Sequence, residues 1–375
     1  MDVDLVMPEA KTDIDVLLIT PDVRERGGRG QLSRLLLENL RAVTGDRIEI
    51  FHLPRTQLKT SVLDRLSGRI DGITAQSETE LLKRLSQISP DCIFIDGSNL
   101  GRLARLLRKA GVTLPIVTFY HNVEARFFFD ALRAAPSVHA LGVLIANTIA
   151  ERWAATYSQR RVLLNERDAR LHARLYRRPG TDVLPMALRD QYDPEAAEAA
   201  RPWDKPYALF VGGGFYANVE GMAWYAEKVA PHAPLDTIVI GRGMDVHRTR
   251  LEQWGGVHVV GEVDELAHWY ANAQIIVAPI LSGSGMKTKT AEAMMHGKPI
   301  AGTAEAFEGY DLLAQDGLIR CTTPADFLEA LQGSVSVEAG FDPELRRLYI
   351  QHHSENSMRE TLKNILENVS RNEMT

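Results

Sequence analysis

"AQIIVAPILSGSGMKTKTAEAMMHGKPIAGT", Ala273 to Thr303, holds two apolar runs around a serine bracketed by glycines, two lysines spaced two apart and one glutamate. "QIIVAPI" reads as a buried strand, "LSGSG" as a loop, and "MKTKTAEAMMHG" as a helix closed by Gly297, with Pro299 beyond it. "KPIAGT" opens the next strand. Strand, short loop, helix and strand in that order make a βαβ unit, the signature of α/β folds with parallel sheets.

The same alternation runs outward in both directions. Upstream come "YALFVGG", "VEGMAWYAEKVAP", "DTIVIGRG", "DVHRTRLEQWGG", "VHVVGEV" and "DELAHWYANA", strand and helix by turns. Nearer the N-terminus, "DVLLIT", "RIEIFHL", "PDCIFIDG" and "LPIVTFYHN" read as strands separated by amphipathic helices such as "GQLSRLLLENLRAV". From about Val123 to Tyr176 the chain reads as mostly helical, and "RRVLLNERDARLHARLYRR" (Arg160–Arg178) as a basic helix with a solvated face. "RDQYDPEAAEAARPWDKP" is polar and carries three prolines, as a linker would. The expected organisation is therefore two Rossmann-like domains with parallel sheets facing each other across a cleft. They span residues 1–188 and 207–341 around a linker at 189–206. Residues 342–375 form C-terminal helices that are free to return to the first domain.

Bulk properties narrow the function. With 375 residues, 45% hydrophobic and 25% charged, the composition is that of a globular protein large enough for two cores. A net charge of −6 gives no global basic field for nucleic acid. Cys92 and Cys321 are far apart in apolar contexts, which points to reduced thiols in a cytoplasmic protein rather than a disulfide or metal site. "MDVDLVMPEAKTDID" is acidic and lacks the apolar core of a secretory leader, and no apolar run is long enough to span a membrane. The basic stretch at Arg160–Arg178 leaves a peripheral membrane contact open.

Ligands of open α/β sheets bind beyond the carboxyl ends of the strands. Four loops there are rich in glycine or polar residues. "PDVRERGGRGQ" places Gly27 and Gly28 before a helix, either as a close backbone approach to an anion or as a flexible turn. "FYHNVEAR" places His121 at a strand end, where it meets either a substrate or an ordinary hydrogen-bond partner. "FVGGGFYANVEG" carries Gly213 and Gly214, fitted to a ligand or to a crowded turn. In the opening stretch, Gly283, Ser284 and Gly285 leave backbone N–H groups at a helix N-terminus, a ready place for a diphosphate. Lys287 and Lys289 sit where the helix dipole disfavours cations unless an anion is near. Glu292 follows at a distance that suits a pair of ribose hydroxyls while the phosphates rest at the terminus.

"GSGMKTKTAEAMMHGKPIAGT" resembles the donor-binding signature of GT-B fold nucleotide-sugar glycosyltransferases of the family-four, or group 1, type. "LFVGGGFYANVEGMAWYAEKVAP" and "VHVVGEVDELAHWYANAQIIVAPI" resemble neighbouring segments of that domain in the right order, and "FYHNVEAR" and "LLNERDARLHARLY" resemble parts of the first. The resemblance implies a retaining, metal-independent transferase with no cofactor. It would move a hexose-type sugar from a UDP or GDP donor to a saccharide or lipid-linked acceptor in cell-surface polysaccharide or glycolipid synthesis.

By the same resemblance, Glu292 binds the ribose and the backbone near Val263 meets the base. Gly28, Gly213, Gly214, Gly283, Ser284, Gly285, Met286 and Lys287 line the donor. Gly27, Asn122 and Glu124 fall on the acceptor side, and His121 touches the sugar near the reacting centre; His121, Lys287 and Glu292 form the catalytic set. The sequence departs from the family at two points. Ser284 stands where the first of two paired glutamates is usual, and the usual phosphate-binding cations are missing from "GGGFYANVEG", with Lys287 or Arg242 as replacements. Those departures keep two other readings in play, a GT-B sugar-nucleotide epimerase and a catalytically degenerate nucleotide-sugar-binding protein.

Overall fold

The structure, a computed structural model, describes residues 11–21, 28–54, 64–65, 67–196, 201–282, 285–310, 317–335 and 340–371. The chain divides into two compact units, Met1–Met186 with Glu355–Thr375, and Ala187–Ser354.

In the first unit the strands are β1 (Val16–Thr20), β2 (Ile48–His52), β3 (Cys92–Asp96), β4 (Ile116–Phe119), β5 (Arg160–Leu163) and β6 (Asp182–Val183). They pair in the order β2-β1-β3-β4-β5-β6, every pair parallel. Apolar residues fill β1 and β3 because both faces of these strands are covered by helices, so neither strand alternates. The helices are α1 (Gly28–Thr44), α2 (Ala75–Leu85), α3 (Gly101–Lys109), α4 (Glu124–Ala134), α5 (Val138–Tyr157) and α6 (Glu166–Tyr176). Thr74 and Ser77 start α2 with a reciprocal capping box. At the start of α3, a Cβ on Gly101 would lie 2.0 Å from the Ala150 carbonyl oxygen, so only glycine lets α3 and α5 come this close.

One expectation needs correction here. The basic stretch Arg160–Arg178 is not a single helix. Arg160–Leu163 forms β5 between β4 and β6, and the helix begins only at Glu166, capped by Asn165. The consecutive Val162 and Leu163 at its end are buried, while Arg160 ion-pairs with Asp182 on β6. Two arginines at the head of a short strand hid its apolar half from a reading by periodicity.

In the second unit, β7 (Tyr207–Val211), β8 (Asp236–Ile240), β9 (Val257–Gly261), β10 (Ile275–Ala278), β11 (Ile300–Gly302) and β12 (Leu318–Arg320) pair as β12-β11-β10-β7-β8-β9, again all parallel. The helices are α7 (Tyr216–Lys228), α8 (Arg248–Glu252), α9 (Ala267–Asn272), α10 (Thr288–Met295), α11 (Pro324–Val335) and α12 (Pro343–His353). The polar segment after Ala187 lies on this unit, where Arg346 donates to Asp190 at 2.9 Å and the rings of Tyr192 and Phe341 are 5.1 Å apart. The remaining helix, α13 (Glu355–Arg371), packs on α1 in the first unit, and Arg359 donates to Asn39 at 2.8 Å. Two six-stranded parallel sheets clothed by helices bear out the expected α/β, Rossmann-like fold.

Winding reverses once in each sheet, between β1 and β3 in the first unit and between β7 and β10 in the second. Loops diverge to opposite faces at such a point and leave a crevice beyond the strand ends. The candidate residues gather at these two places.

Candidate functional site

In the second unit the loops after β7 and β8 are zipped together by their backbones. Gly212 N–H donates to the Ile240 carbonyl and Gly214 N–H to the Arg242 carbonyl, both at 2.9 Å. A Cβ on Gly214 would lie 2.5 Å from the Gly243 carbonyl oxygen, so this loop is a crowded turn, the alternative to a ligand contact. The Arg242 side chain stays exposed and lies 3.6 Å from Glu262, next to Val263, which packs on the edge of the core. Helix α7 follows Phe215, whose side chain offers no cap to the first backbone N–H groups. Further along α7, a Cβ on Gly221 would lie 2.0 Å from the Pro279 carbonyl oxygen; this close approach draws α7 against the end of β10.

The opening stretch folds as its sequence suggests where it is described. Gly283 and Ser284 lie outside the described residues. Gly285 takes a positive φ of 68°, Met286 is buried and Lys287 occupies the N-cap of α10 in an extended conformation. Gly297 ends the helix with a φ of 57°. Its N–H reaches the Met294 carbonyl and that of Lys298 the Ala293 carbonyl, a Schellman closure. Lys287 is already engaged, because its Nζ donates to Glu305 at 2.8 Å and to the Gly285 carbonyl at 2.7 Å. Tyr310 also donates its hydroxyl to the Lys287 carbonyl at 2.5 Å.

Glu292 sits one turn further into α10 and accepts a hydrogen bond from the Tyr270 hydroxyl at 3.0 Å. Burial raises its carboxyl above the usual range, against the Tyr270 bond and the charge of Lys289, both of which lower it. The Tyr270 ring stacks on His296, with centroids 4.4 Å apart and planes within 7°. His296 is itself pushed down to about 4, chiefly by burial. Lys289 is 7% exposed, and its Nζ donates to Asn218 on α7 at 3.0 Å.

In the first unit, His121 follows β4 and its Nε2 lies 2.5 Å from Asp96 Oδ1 at the end of β3. Asp96 also accepts from the Thr20 hydroxyl, at the end of β1, at 2.7 Å. Burial acts to raise the Asp96 carboxyl, but the charge and hydrogen bond of His121, with bonds from Thr20 and Ser33, outweigh it and hold the group below its ordinary value. A carboxylate only accepts, so His121 donates through Nε2 and its tautomer is fixed. Its Nδ1 is buried and meets no partner among the described residues.

Glu124 is the first residue of α4 and is buried, and Asn122 is half-buried beside it. The first N–H groups of α4 are taken up from within the protein. Glu124 N–H donates to Glu151 Oε1 at 2.9 Å and Ala125 N–H to Glu151 Oε2 at 3.0 Å. This helix start is therefore capped by a buried carboxylate and is not open to an anion. Gly27 lies outside the described residues, and Gly28 is the first residue of α1.

The second unit thus brings Gly213, Gly214, Arg242, Gly285, Met286, Lys287 and Glu292 to one edge of its sheet, and the first unit holds His121, Asn122 and Glu124 at the end of β4. Three residues escaped the sequence reading. Asp96 closes the apolar strand "CIFID", and an acid ending a fully buried strand was the available signal. Tyr270 and Asn218 lie in ordinary helical patterns and gave none. Among the described residues, no group of three or more His, Cys, Asp or Glu is placed to hold a metal ion, and no helix is long and apolar enough to cross a membrane.

Residues 205–335 match the family described as "Glycosyl transferases group 1", which takes in most of the second unit. Among solved structures, the chain is similar to sucrose-phosphate synthase from Thermosynechococcus elongatus, with a TM-score of 0.70 at 13% identity, covering 95% of this chain and 99% of that one. It is also similar to α,α-trehalose 6-phosphate synthase from Burkholderia multivorans, with a TM-score of 0.64 at 13% identity over 97% of this chain and 98% of that one. A third is Anabaena HepE in complex with UDP and glucose, with a TM-score of 0.62 at 12% identity over 95% of this chain and all (100%) of that one. No curated protein matches the sequence. At these identities the structural likeness is one of fold, and it bears out the GT-B expectation along the chain. The second unit is thus the part of the chain that is similar to group 1 glycosyl transferases.

Proposed function

We propose that the chain is a retaining glycosyltransferase that takes a hexose from a nucleoside-diphosphate sugar, a UDP-hexose in the first place, and passes it to a saccharide or lipid-linked acceptor. The second unit binds the donor, the first binds the acceptor, and the work is done in the cytoplasm, in the synthesis of a surface polysaccharide or glycolipid. The observation that carries this reading is Glu292, held by Tyr270 on the helix that follows β10 in a domain of group 1 type. HepE supports the choice of donor, since that protein is described in complex with UDP and with UDP-glucose.

The proposed chemistry follows from the residues. Tyr270 occupies one oxygen of Glu292, and the other accepts from the ribose hydroxyls. The diphosphate lies along the uncapped starts of α7 and α10, whose backbone N–H groups face developing negative charge. As the bond from the anomeric carbon to the phosphate oxygen breaks, charge grows on the diphosphate, and fixed donors stabilise it more than they stabilise the bound donor. The acceptor oxygen forms the new bond on the same face, and its proton passes to the leaving phosphate oxygen. His121, oriented by Asp96, holds a sugar hydroxyl beside the reacting centre and is not the base. Lys287, paired with Glu305, fixes the conformation of the Gly285 loop.

Calorimetric titration with UDP, GDP and UDP-glucose tests the reading, together with turnover of a UDP-hexose in the presence of acceptor sugars. Wild type is expected to bind UDP, with Glu292→Gln weaker by about tenfold. If millimolar UDP and GDP neither bind nor raise the melting temperature, the proposal fails.

A further inference from the structure

We infer that Lys289 is the cation that meets the diphosphate of the nucleotide, standing in for the pair missing from the glycine loop after β7. This inference deepens the donor reading above and rests on it.

Two basic side chains at this edge of the second unit are already answered by carboxylates. Lys287 is ion-paired with Glu305 at 2.8 Å, and the exposed Arg242 lies 3.6 Å from Glu262. Lys289 is different. It is buried, and among the described residues no carboxylate lies within ion-pair distance of its ammonium. Its recorded contacts are the Asn218 amide oxygen at 3.0 Å and the face of the Phe210 ring, whose centroid is 5.3 Å from Nζ. An ammonium withdrawn from water with only an amide and a ring is poorly compensated, and such charges are rare unless paired. Glu292, one turn further along α10, favours the charged form without touching it. Burial nonetheless dominates and pushes the amine down to about 8.

Position turns this cost into an assignment. Asn218 accepts from Lys289 through Oδ1 and donates through Nδ2 to the Gly213 carbonyl at 2.9 Å. The amide therefore ties the ammonium, which comes from the helix after β10, to the glycine loop after β7. Those are the two loops that part at the switch point of this sheet. Gly213 and Gly214 carry no side chain that could supply a charge there, and Lys289 arrives from the opposite side to do so. One N–H of the ammonium is spent on Asn218, and the other two meet the phosphate oxygens of a nucleoside diphosphate. A charge-assisted bond to a dianion in this setting is strong, and binding relieves the unpaired burial.

Titrating uridine, UDP and inorganic pyrophosphate into wild type, Lys289→Met and Asn218→Asp tests the assignment. Lys289→Met keeps the length and apolar stem of the side chain. It is expected to weaken UDP and pyrophosphate by about tenfold or more while changing uridine by less than about twofold. Asn218→Asp gives the ammonium a carboxylate of its own and is expected to weaken UDP in the same selective way in a protein that still folds. UDP affinity within about twofold of wild type in Lys289→Met overturns the inference, and so does an equal loss of uridine and UDP, which marks a structural lysine. If wild type binds pyrophosphate through Lys289 but no nucleotide, the donor reading falls and the anion site stands. If wild type binds neither, both fall.

Discussion

Asp96 Oδ1 and His121 Nε2 lie 2.5 Å apart at the ends of two paired strands, and both side chains are closed off from solvent. The ionised carboxylate fixes which ring nitrogen carries the proton, and Thr20 on the neighbouring strand holds the carboxylate in turn. Three strand ends thus aim one imidazole.

Asp96→Asn removes the charge and frees the ring to change tautomer. We expect kcat for sugar transfer to fall by about 100-fold, with a smaller effect on donor KM, because orientation of a reacting-centre contact is lost rather than donor affinity. A kcat within about threefold of wild type would count against the role given to the pair.

Tyr270→Phe leaves Glu292 without its hydroxyl donor while keeping the ring stacked on His296. Bonds to charged groups contribute about 1.5–3 kcal/mol, so UDP should bind about tenfold more weakly. Uridine should weaken in proportion, since the ribose contact is the one disturbed. Selective loss of UDP with uridine unchanged would contradict the ribose assignment.

On the assignment above, Lys289 should give UDP binding a basic limb. Its amine is lowered to about 8 by burial, against the charge of Glu292 and with that of Lys287. The bound diphosphate requires the protonated form, so affinity should decline as pH rises above about 8, and Lys289→Met should show no such limb. Fold stability moves the other way: between about 8 and the unfolded value near 10.5 the unfolded chain holds more protons, and stability rises with pH. Calorimetric titration across this range reads the first effect, and thermal denaturation reads the second.

Acid should destabilise both units. His172 in the first and His296 in the second are each pushed down to about 4, chiefly by burial. Both are neutral when folded and take up protons on unfolding, so their contribution is present above about 6.5 and is lost as pH falls toward 4. Each is worth at most roughly 3 kcal/mol. His296→Phe should flatten the acid limb of the second unit's stability, measured by urea unfolding from neutral to acid pH.

Gly221→Ala places a methyl against the Pro279 carbonyl, which a Cβ would approach to 2.0 Å. Neither helix nor strand backbone can yield cheaply. A loss of about 3 kcal/mol is expected, with weaker UDP binding because the end of β10 is displaced. A thermal melt unchanged to within about a degree would show that α7 can slide instead.

Much of the fold is written in period and punctuation. Buried parallel strands such as "VLLIT" and "CIFID" are apolar on both faces, and Gly297 with Pro299 marks where α10 stops. The strand at Arg160 was hidden because charged residues can sit at its start while their partner, Asp182, lies 22 positions away. Site residues divide along the same line. Glu292 and His121 were singled out as candidates by local setting, a carboxylate on a loop-following helix and a histidine at a strand end, and their roles came from the resemblance. Asp96, Tyr270 and Asn218 gain their meaning from partners 25, 22 and 71 residues distant. Lys289 was visible as a charge in an awkward turn. Its bond to Asn218 on α7 distinguishes it from Lys287, whose charge is spent on Glu305.

The helix Glu355–Arg371 belongs to the first unit although the whole of the second precedes it. The ends of the second unit meet, since Leu188 N–H donates to the His353 carbonyl at 2.8 Å and Leu188 bridges to Ser354. A nascent chain can therefore complete the second unit while the first still waits for a piece. Until Met358, Leu362, Ile365, Leu366 and Val369 emerge to join α1, that helix lacks the apolar cover they supply. Synthesis thus delivers the second unit ready-made and leaves the unit that begins first to be finished last.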